Sequence, residues 1–418
     1  YRAQVAAVIG AYNDITAAAV NLISETNRKV NAHSVMISGS GIAAVVGSVN
    51  VISVGGEVAN KNADATKNST NTDNTTQKTE ETASQVGQKA MTDALDKDFS
   101  SSNSKNKVVT GLNERFAGLT DKNATSVSSY FAESADLKNK TAASTGIGGT
   151  IKSTEGDVTI TAEETTTVNS VAGQAGAAGG CIGVSVNCIT LKGTTETKVE
   201  SDITSAKDIK IKAANNVNLG NLSAFGGNAA IAGTACGAVL YTDVSSTNTA
   251  TASGTITSTN KGVLSISADQ LVQQTGSYVA VIPTGALGIA VGAPVAHIYA
   301  KSTNVASSTG TLKSLSGLNI TAATKMELAP RADGISIGGL GMGVASAQAE
   351  VTVDNTAYLS GEAVIDGDVN VIAERRIILT VSGTAVAGGL LGGVDGCITK
   401  LLVNGKSAAY MKNAKVTA

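Results

Sequence analysis

Five short segments of the chain alternate apolar and polar residues in the same way: GDVTITA at 156–162, KDIKIKA at 207–213, GVLSISA at 262–268, SGLNITA at 316–322 and GDVNVIA at 367–373. In the first, Val158 and Ile160 share one face while Asp157, Thr159 and Thr161 share the other. This is the period-2 signature of a half-buried strand. The second sets Ile209 and Ile211 against Lys210 and Lys212. The closing alanines, Ala162, Ala213, Ala268, Ala322 and Ala373, stand 51, 55, 54 and 51 residues apart. Each period also holds a Gly/Ala-rich stretch that runs into a Val-rich strand, as in AGQAGAAGGCIGVSVNCI and PTGALGIAVGAPVAHI. A further copy lies at 20–54, VNLISETNRKVNAHSVMISGSGIAAVVGSVNVISV.

A strand pattern at a nearly fixed period predicts stacked coils, each pairing with the one above and the one below. The expected fold is mainly β: a right-handed parallel β-helix (β-solenoid) of repeats about 53 residues long. That period is long for one circuit, since solenoid coils of roughly two dozen residues are the expectation. Each period is therefore read as two coils, one with the DVTI-type strand and one with the GVSVN-type strand. The Asn, Asp, Gly and Thr clusters after each strand suit turns. Proline removes a ladder donor, so Pro283, Pro294 and Pro330 are expected at corners or bulges.

One region breaks the pattern. From Ser24 to its counterpart Ala162 is 138 residues, and the excess falls at about 63–147. Three of the four Phe residues lie there. Its opening, NKNADATKNSTNTDNTTQ, reads as a polar linker. Val108, Leu112, Phe116 and Leu119 then recur at helical spacing, as do Val127, Tyr130, Phe131 and Leu137. The expected organisation is a solenoid over 1–62, an inserted linker with a small α-helical subdomain over 63–147, and five solenoid repeats over 148–418. Phe99, Phe116, Tyr130 and Phe131 are the candidate partner contacts, because insertions off a rigid scaffold are where recognition concentrates.

Composition narrows the chemistry. The 418 residues are 42% hydrophobic but only 3% aromatic, with 46 Gly and no Trp. Such a chain cannot fill a wide enzyme core with large side chains. A net charge of −2 leaves no basic footprint for nucleic acid, and no apolar run reaches the roughly 20 residues of a membrane span. Cys181, Cys188, Cys236 and Cys397 form no CxxC pair and read as small buried hydrophobes. His33 and His297 lack acidic or nucleophilic neighbours and read as structural. Asp157, Asp208 and Asp368 recur where the same strand starts, which suits turn capping. The Gly-rich runs at 338–343 and 385–393 lack the Lys-Ser/Thr pair of a phosphate loop and read as solenoid corners. No carboxylate pair marks a glycosidase. No catalytic, cofactor or metal residue is expected, and no enzymatic activity.

The run D-V-x-I-x-A, then A-G-x-x-G, then G-x-S-V-N and a T-x-x-x-V strand resembles the repeats of large bacterial exoproteins. These are the filamentous-haemagglutinin-like adhesins and the leukotoxin-type repeat proteins. The match is strongest at 156–199, and GSVNVI at 47–52 repeats its core. The resemblance implies a secreted or cell-surface bacterial adhesin segment, exported through outer-membrane machinery, whose partner is a host-cell or bacterial surface protein or glycan. A leukotoxin-like cytolytic exoprotein and a structural filament protein are the alternatives. The chain starts at Tyr1 without Met, and its repeats run to both ends, so it reads as an excerpt of a longer protein.

Overall fold

The computed structural model describes residues 1, 3–55, 139–285 and 287–417, and every regular element among them is a strand of one 17-stranded sheet. All the strand pairings are parallel. The helical reading of the insertion, with Phe99, Phe116, Tyr130 and Phe131, falls in 56–138, outside the described residues.

Register shows how the coils are built. Ser24 stands beside Ala162, Ala162 beside Ala213, Ala213 beside Ala268, Ala268 beside Ala322 and Ala322 beside Ala373. Neighbouring strands are thus one whole period apart, and among the described residues the DVTI-type and GVSVN-type strands never pair with each other. The two-coil reading is overturned: one period is one long circuit.

The circuit is a flattened loop. Its outgoing arms are β3 (Val20–Gly39), the first half of β7 (Val158–Val199), the first half of β9 (Ile209–Ala252), β11 (Val263–Gly285), β13 (Thr311–Leu328) with β14 (Arg331–Gly338), and the end of β15 (Leu340–Leu379) with β16 (Ser382–Gly389). Its returning arms are β4 (Ala43–Val54) with β5 (Lys140–Thr145), the second halves of β7 and β9, β12 (Ile289–Ser308), the start of β15, and β17 (Gly393–Thr417). Short strands β2 (Asp14–Ala17), β6 (Thr150–Ser153), β8 (Asp202–Ser205) and β10 (Thr255–Ser258) close one end, and β1 (Gln4–Ile9) pairs with β5. The arms face each other across a thin interior. Asn187 donates to the carbonyls of Ser170 at 2.9 Å and Ser223 at 3.0 Å, and Asn228 to that of Ala235 at 2.8 Å.

The alternation read from the sequence holds in the interior: Val158, Ile160, Ile209 and Ile211 are all buried. Beyond them the Thr- and Asn-rich stretches are not turns. Thr165–Thr167 continue β7, a strand of 42 residues. Their inward member Thr166 is buried, as are Glu164, Asn215, Gln270 and Thr324, and Glu164 accepts from Thr141 of the opposite arm at 3.3 Å. Asn248 donates to Gln270 at 2.9 Å and to Asn304 at 2.7 Å, and Asn304 to Thr324 at 2.6 Å and Asn355 at 2.8 Å. This polar seam divides one apolar cluster, built on Ile160 and Ile211, from another built on Leu219 and Leu240. Buried amides need partners, and the Asn248–Asn304 and Asn304–Asn355 bonds run from one coil to the next, which ties these coils in register.

Where the seam reaches the first coils it becomes ionic. Arg28 donates to Glu164 at 2.7 Å, to Thr166 at 3.0 Å and to Asn139 at 2.8 Å, and all four residues are buried. Lys140–Thr145, placed by sequence within the insertion, is a strand of the sheet between β1 and β7. Val54 pairs with Leu191 and Lys140 with Thr194, so the described strands before and after 56–138 flank Lys192–Gly193 of the next coil.

The prolines correct a second expectation. Pro330 lies between β13 and β14, but Pro283 and Pro294 are buried inside β11 and β12. Each pairs with the preceding coil, opposite Asn228 and Ala238, while the register to the following coil skips both positions. A missing N–H is thus tolerated at the cost of a local gap in one ladder. Each ring also needs a glycine across the interior: a Cβ on Gly292 would lie 3.2 Å from Pro283, and one on Gly334 3.0 Å from Pro294.

Candidate apolar contact edge

The end of each loop opposite the short strands is a Gly/Ala-rich tip. Successive tips hydrogen-bond to one another: Gly180 to Ile42 at 2.9 Å, Leu287 to Ile231 at 3.1 Å, Leu340 to Gly288 at 3.2 Å and Leu391 to Gly339 at 2.8 Å. The Gly-rich runs at 338–343 and 385–393 are two of these corners, as expected. Glycine is required where the chains approach most closely, since a Cβ on Gly288 would lie 1.4 Å from the carbonyl oxygen of Ala232.

What the tips present is unusual for an exposed surface. Ile42, Ile231, Leu287 and Leu390 are 63% to 92% exposed. On the outer face of the outgoing arm, Ile37, Ile282, Ile335 and Val386 lie in one exposed row across the coils. A shallow groove between them is lined by Ala178, Ala229, Ile231, Gly285 and Ile337. No ionic group interrupts this edge. Residues 30–55, 165–191, 213–242, 270–300, 334–349 and 377–394 contain no Asp, Glu, Lys or Arg, and the register brings these six windows side by side. Contiguous exposed apolar surface of this kind marks an interaction site.

Charge gathers towards the other end of the loop, although on the last coils Asp333 and Asp395 stand beside Ala280 and Gly343 of the coil before. Between coils Lys212 meets Glu163 at 2.6 Å and Lys140 pairs with Glu196, and within one coil Lys198 meets Glu200 at 2.8 Å. A surface cleft there is lined by Gln4, Val5, Lys140, Glu196, Lys198 and Glu200, and each of its carboxylates holds a lysine. Of the three recurring aspartates, Asp368 lies inside β15 beside Gly317, whereas two cap as expected, Asp157 accepting from the backbone N–H of Asp208 at 3.1 Å and Asp208 from that of Val263 at 2.8 Å. Asp202 does the same for Thr255 at 2.7 Å.

Aromatic residues mark the border between the two ends. Tyr241 and Tyr299 stand 5.3 Å apart on adjacent returning arms, and Tyr278 lies under the Arg331 guanidinium at 5.3 Å. Desolvation and the neighbouring Asp243 push the Tyr241 hydroxyl up to about 12, and burial also raises the Asp243 carboxyl. His297 is buried and shares a 3.0 Å hydrogen bond with Ser346, whereas His33 is exposed.

All four cysteines are free thiols. Cys181 and Cys236 are buried as expected, Cys188 is half-buried, and Cys397 is exposed on β17, the outermost described coil. Burial raises the Cys188 thiol to about 11 and the Cys236 thiol further. A raised pKa leaves almost no thiolate near neutrality, so Cys397 alkylates first at pH 8 and Cys236 last. Peptide mapping after timed iodoacetamide labelling reads the order; Cys236 labelling as fast as Cys397 contradicts it.

Among the described residues no group of three or more His, Cys, Asp or Glu side chains could hold a metal ion. The expected contact residues Phe99, Phe116, Tyr130 and Phe131 lie outside the described residues, so the structure offers the tip edge instead. Plotting charge against the 51-to-55-residue period would have revealed it, because the six windows are visible in the sequence once aligned. No protein-family model, curated protein or solved structure matches the chain.

Proposed function

We propose that the chain is a stalk segment of a secreted or cell-surface bacterial adhesin, a right-handed parallel β-helix whose apolar edge makes the adhesive contact. The exposed, charge-free edge running across every described coil carries this reading. A stacked coil suits a stalk because each added circuit lengthens it without a new core. Parallel strands joined by long crossovers take the right hand almost without exception. Contact through aliphatic tips calls for a partner that offers apolar surface, since glycan recognition relies on placed polar groups. The same edge also favours a second reading, the leukotoxin-like one, in which the apolar surface is lipid.

The test is adsorption of the purified chain to octyl-coated beads, to a glycan array and to dye-loaded phospholipid vesicles. The adhesin reading expects retention on octyl beads that survives about 1 M salt, where screening removes charge contacts, with vesicles left sealed. Dye release moves the assignment to the cytolytic reading. Glycan binding without octyl retention overturns the edge as the contact.

A further inference from the structure

The loop tips differ in size, and the sizes follow a pattern along the edge. Six coils are counted here, from β3 with β4 as the first to β16 with β17 as the sixth. Hydrogen bonds and register between successive tips bring Ile42, Gly179, Ile231, Leu287, Gly339 and Leu390 to within one residue of a common column. The column reads large, glycine, large, large, glycine, large. Its Ile and Leu side chains stand out into solvent, with exposed Leu391 next to Leu390. Gly339 is buried and Gly179 half-buried between these neighbours. Two recesses therefore interrupt a row of aliphatic knobs. A groove of about 450 Å³ runs from one recess to the other, with Ala178 of the second coil at one end and Gly338 of the fifth at the other.

We infer, on the reading that this edge is the contact surface, that its partner is the same edge of a second copy of this chain, antiparallel and centred on Leu287. Turning one rod end for end about an axis through Leu287 sets its Leu390 over Gly179 of the other copy and its Ile231 over Gly339. The two Leu287 side chains meet at the axis. Each of the other contacts occurs twice, as a two-fold interface requires. Parallel rods in register would set knob on knob and recess on recess, leaving voids that close packing disfavours. Charge points the same way. Asp333 and Asp395, on the fifth and sixth coils, stand five residues before Gly338 and three after Gly392. Parallel pairing would bring each towards its own copy, whereas the turn sets them against the third and second coils, whose tip windows hold no carboxylate. Five coils overlap in this register, about 24 Å of edge at about 4.8 Å each. With a width of about 20 Å, two such edges bury roughly 1,000 Å², the lower limit of a specific interface. The pair is accordingly weak, with a Kd of micromolar order.

Sedimentation velocity of the purified chain over about 1–100 µM, in about 1 M salt where charge contacts are screened, is expected to show a monomer–dimer equilibrium. Leu390→Asp weakens the dimer at least tenfold, whereas Ile42→Asp, beyond the overlap, leaves it within twofold. With the four native cysteines replaced by serine, Leu287→Cys is expected to form an intermolecular disulfide under mild oxidation, and Ile42→Cys at least tenfold less of one. Equal crosslinking at the two positions, an unweakened Leu390→Asp dimer, or a chain that stays monomeric overturns the self-pairing. Octyl beads separate the two possible failures. A monomer that the beads retain loses only the partner named here, and a monomer that they do not retain loses the edge as contact surface as well.

Discussion

Glu164→Leu destabilises the first coils by about 3–5 kcal/mol, the usual result of stranding one member of a buried ion pair. The guanidinium of Arg28 keeps Thr166 and Asn139 as partners but loses the carboxylate that takes its 2.7 Å bond. Asn139 and Thr141, which also donate to Glu164, lose an acceptor at the same time. With 5% and 3% of the two charged side chains exposed, water cannot replace what is removed. The double variant Arg28→Leu with Glu164→Leu recovers much of the loss, because neither charge is then buried alone. Urea unfolding of the three proteins measures this. A single variant no less stable than the double one would show that the pair contributes little.

Carboxylates on the tips have the second large effect, on contact and not on folding. Ile231, Leu287 and Leu390 touch little of the protein's own core, so changing each to Asp shifts stability by about 0.5 kcal/mol or less. Covering one such side chain in a complex contributes about 1.5–3 kcal/mol, roughly ten- to a hundredfold in affinity. The triple variant therefore loses at least about a hundredfold in binding to an octyl surface, read by surface plasmon resonance. Three aspartates on the charged end, at Thr159, Ser265 and Asn319, leave binding within twofold. Equal losses from both sets would assign the effect to net charge.

How much of this was legible beforehand depends on scale. Alternation within seven residues placed Ile160, Ile209 and Ile211 inward, because a strand's period of two needs only local sequence. The circuit length was not legible. Corners such as Ala177–Gly180 bend inside a continuous ladder, and the sharpest turn signals, Asn and Thr clusters, belong to the interior seam. Asn248 or Thr166 in isolation reads as a turn residue; only its partner a coil away shows that it is a strand residue with a buried amide or hydroxyl. The candidate site was obscured for the same reason. Ile42, Ile231 and Leu287 lie far apart in sequence, and they become one edge only when one period equals one coil.

That equality is also the most direct thing to measure. Ala229 and Thr284 are register partners on β9 and β11, both on the outer face of the outgoing arm. With the four native cysteines replaced by serine, Ala229→Cys and Thr284→Cys are expected to form an intramolecular disulfide under mild oxidation. Adjacent strands lie about 4.8 Å apart, within the range a disulfide spans. If each period held two coils, the same positions would be two strand spacings apart, about 9.6 Å, beyond a disulfide's reach. A pair that stays reduced would contradict the single circuit, and with it the continuous apolar edge.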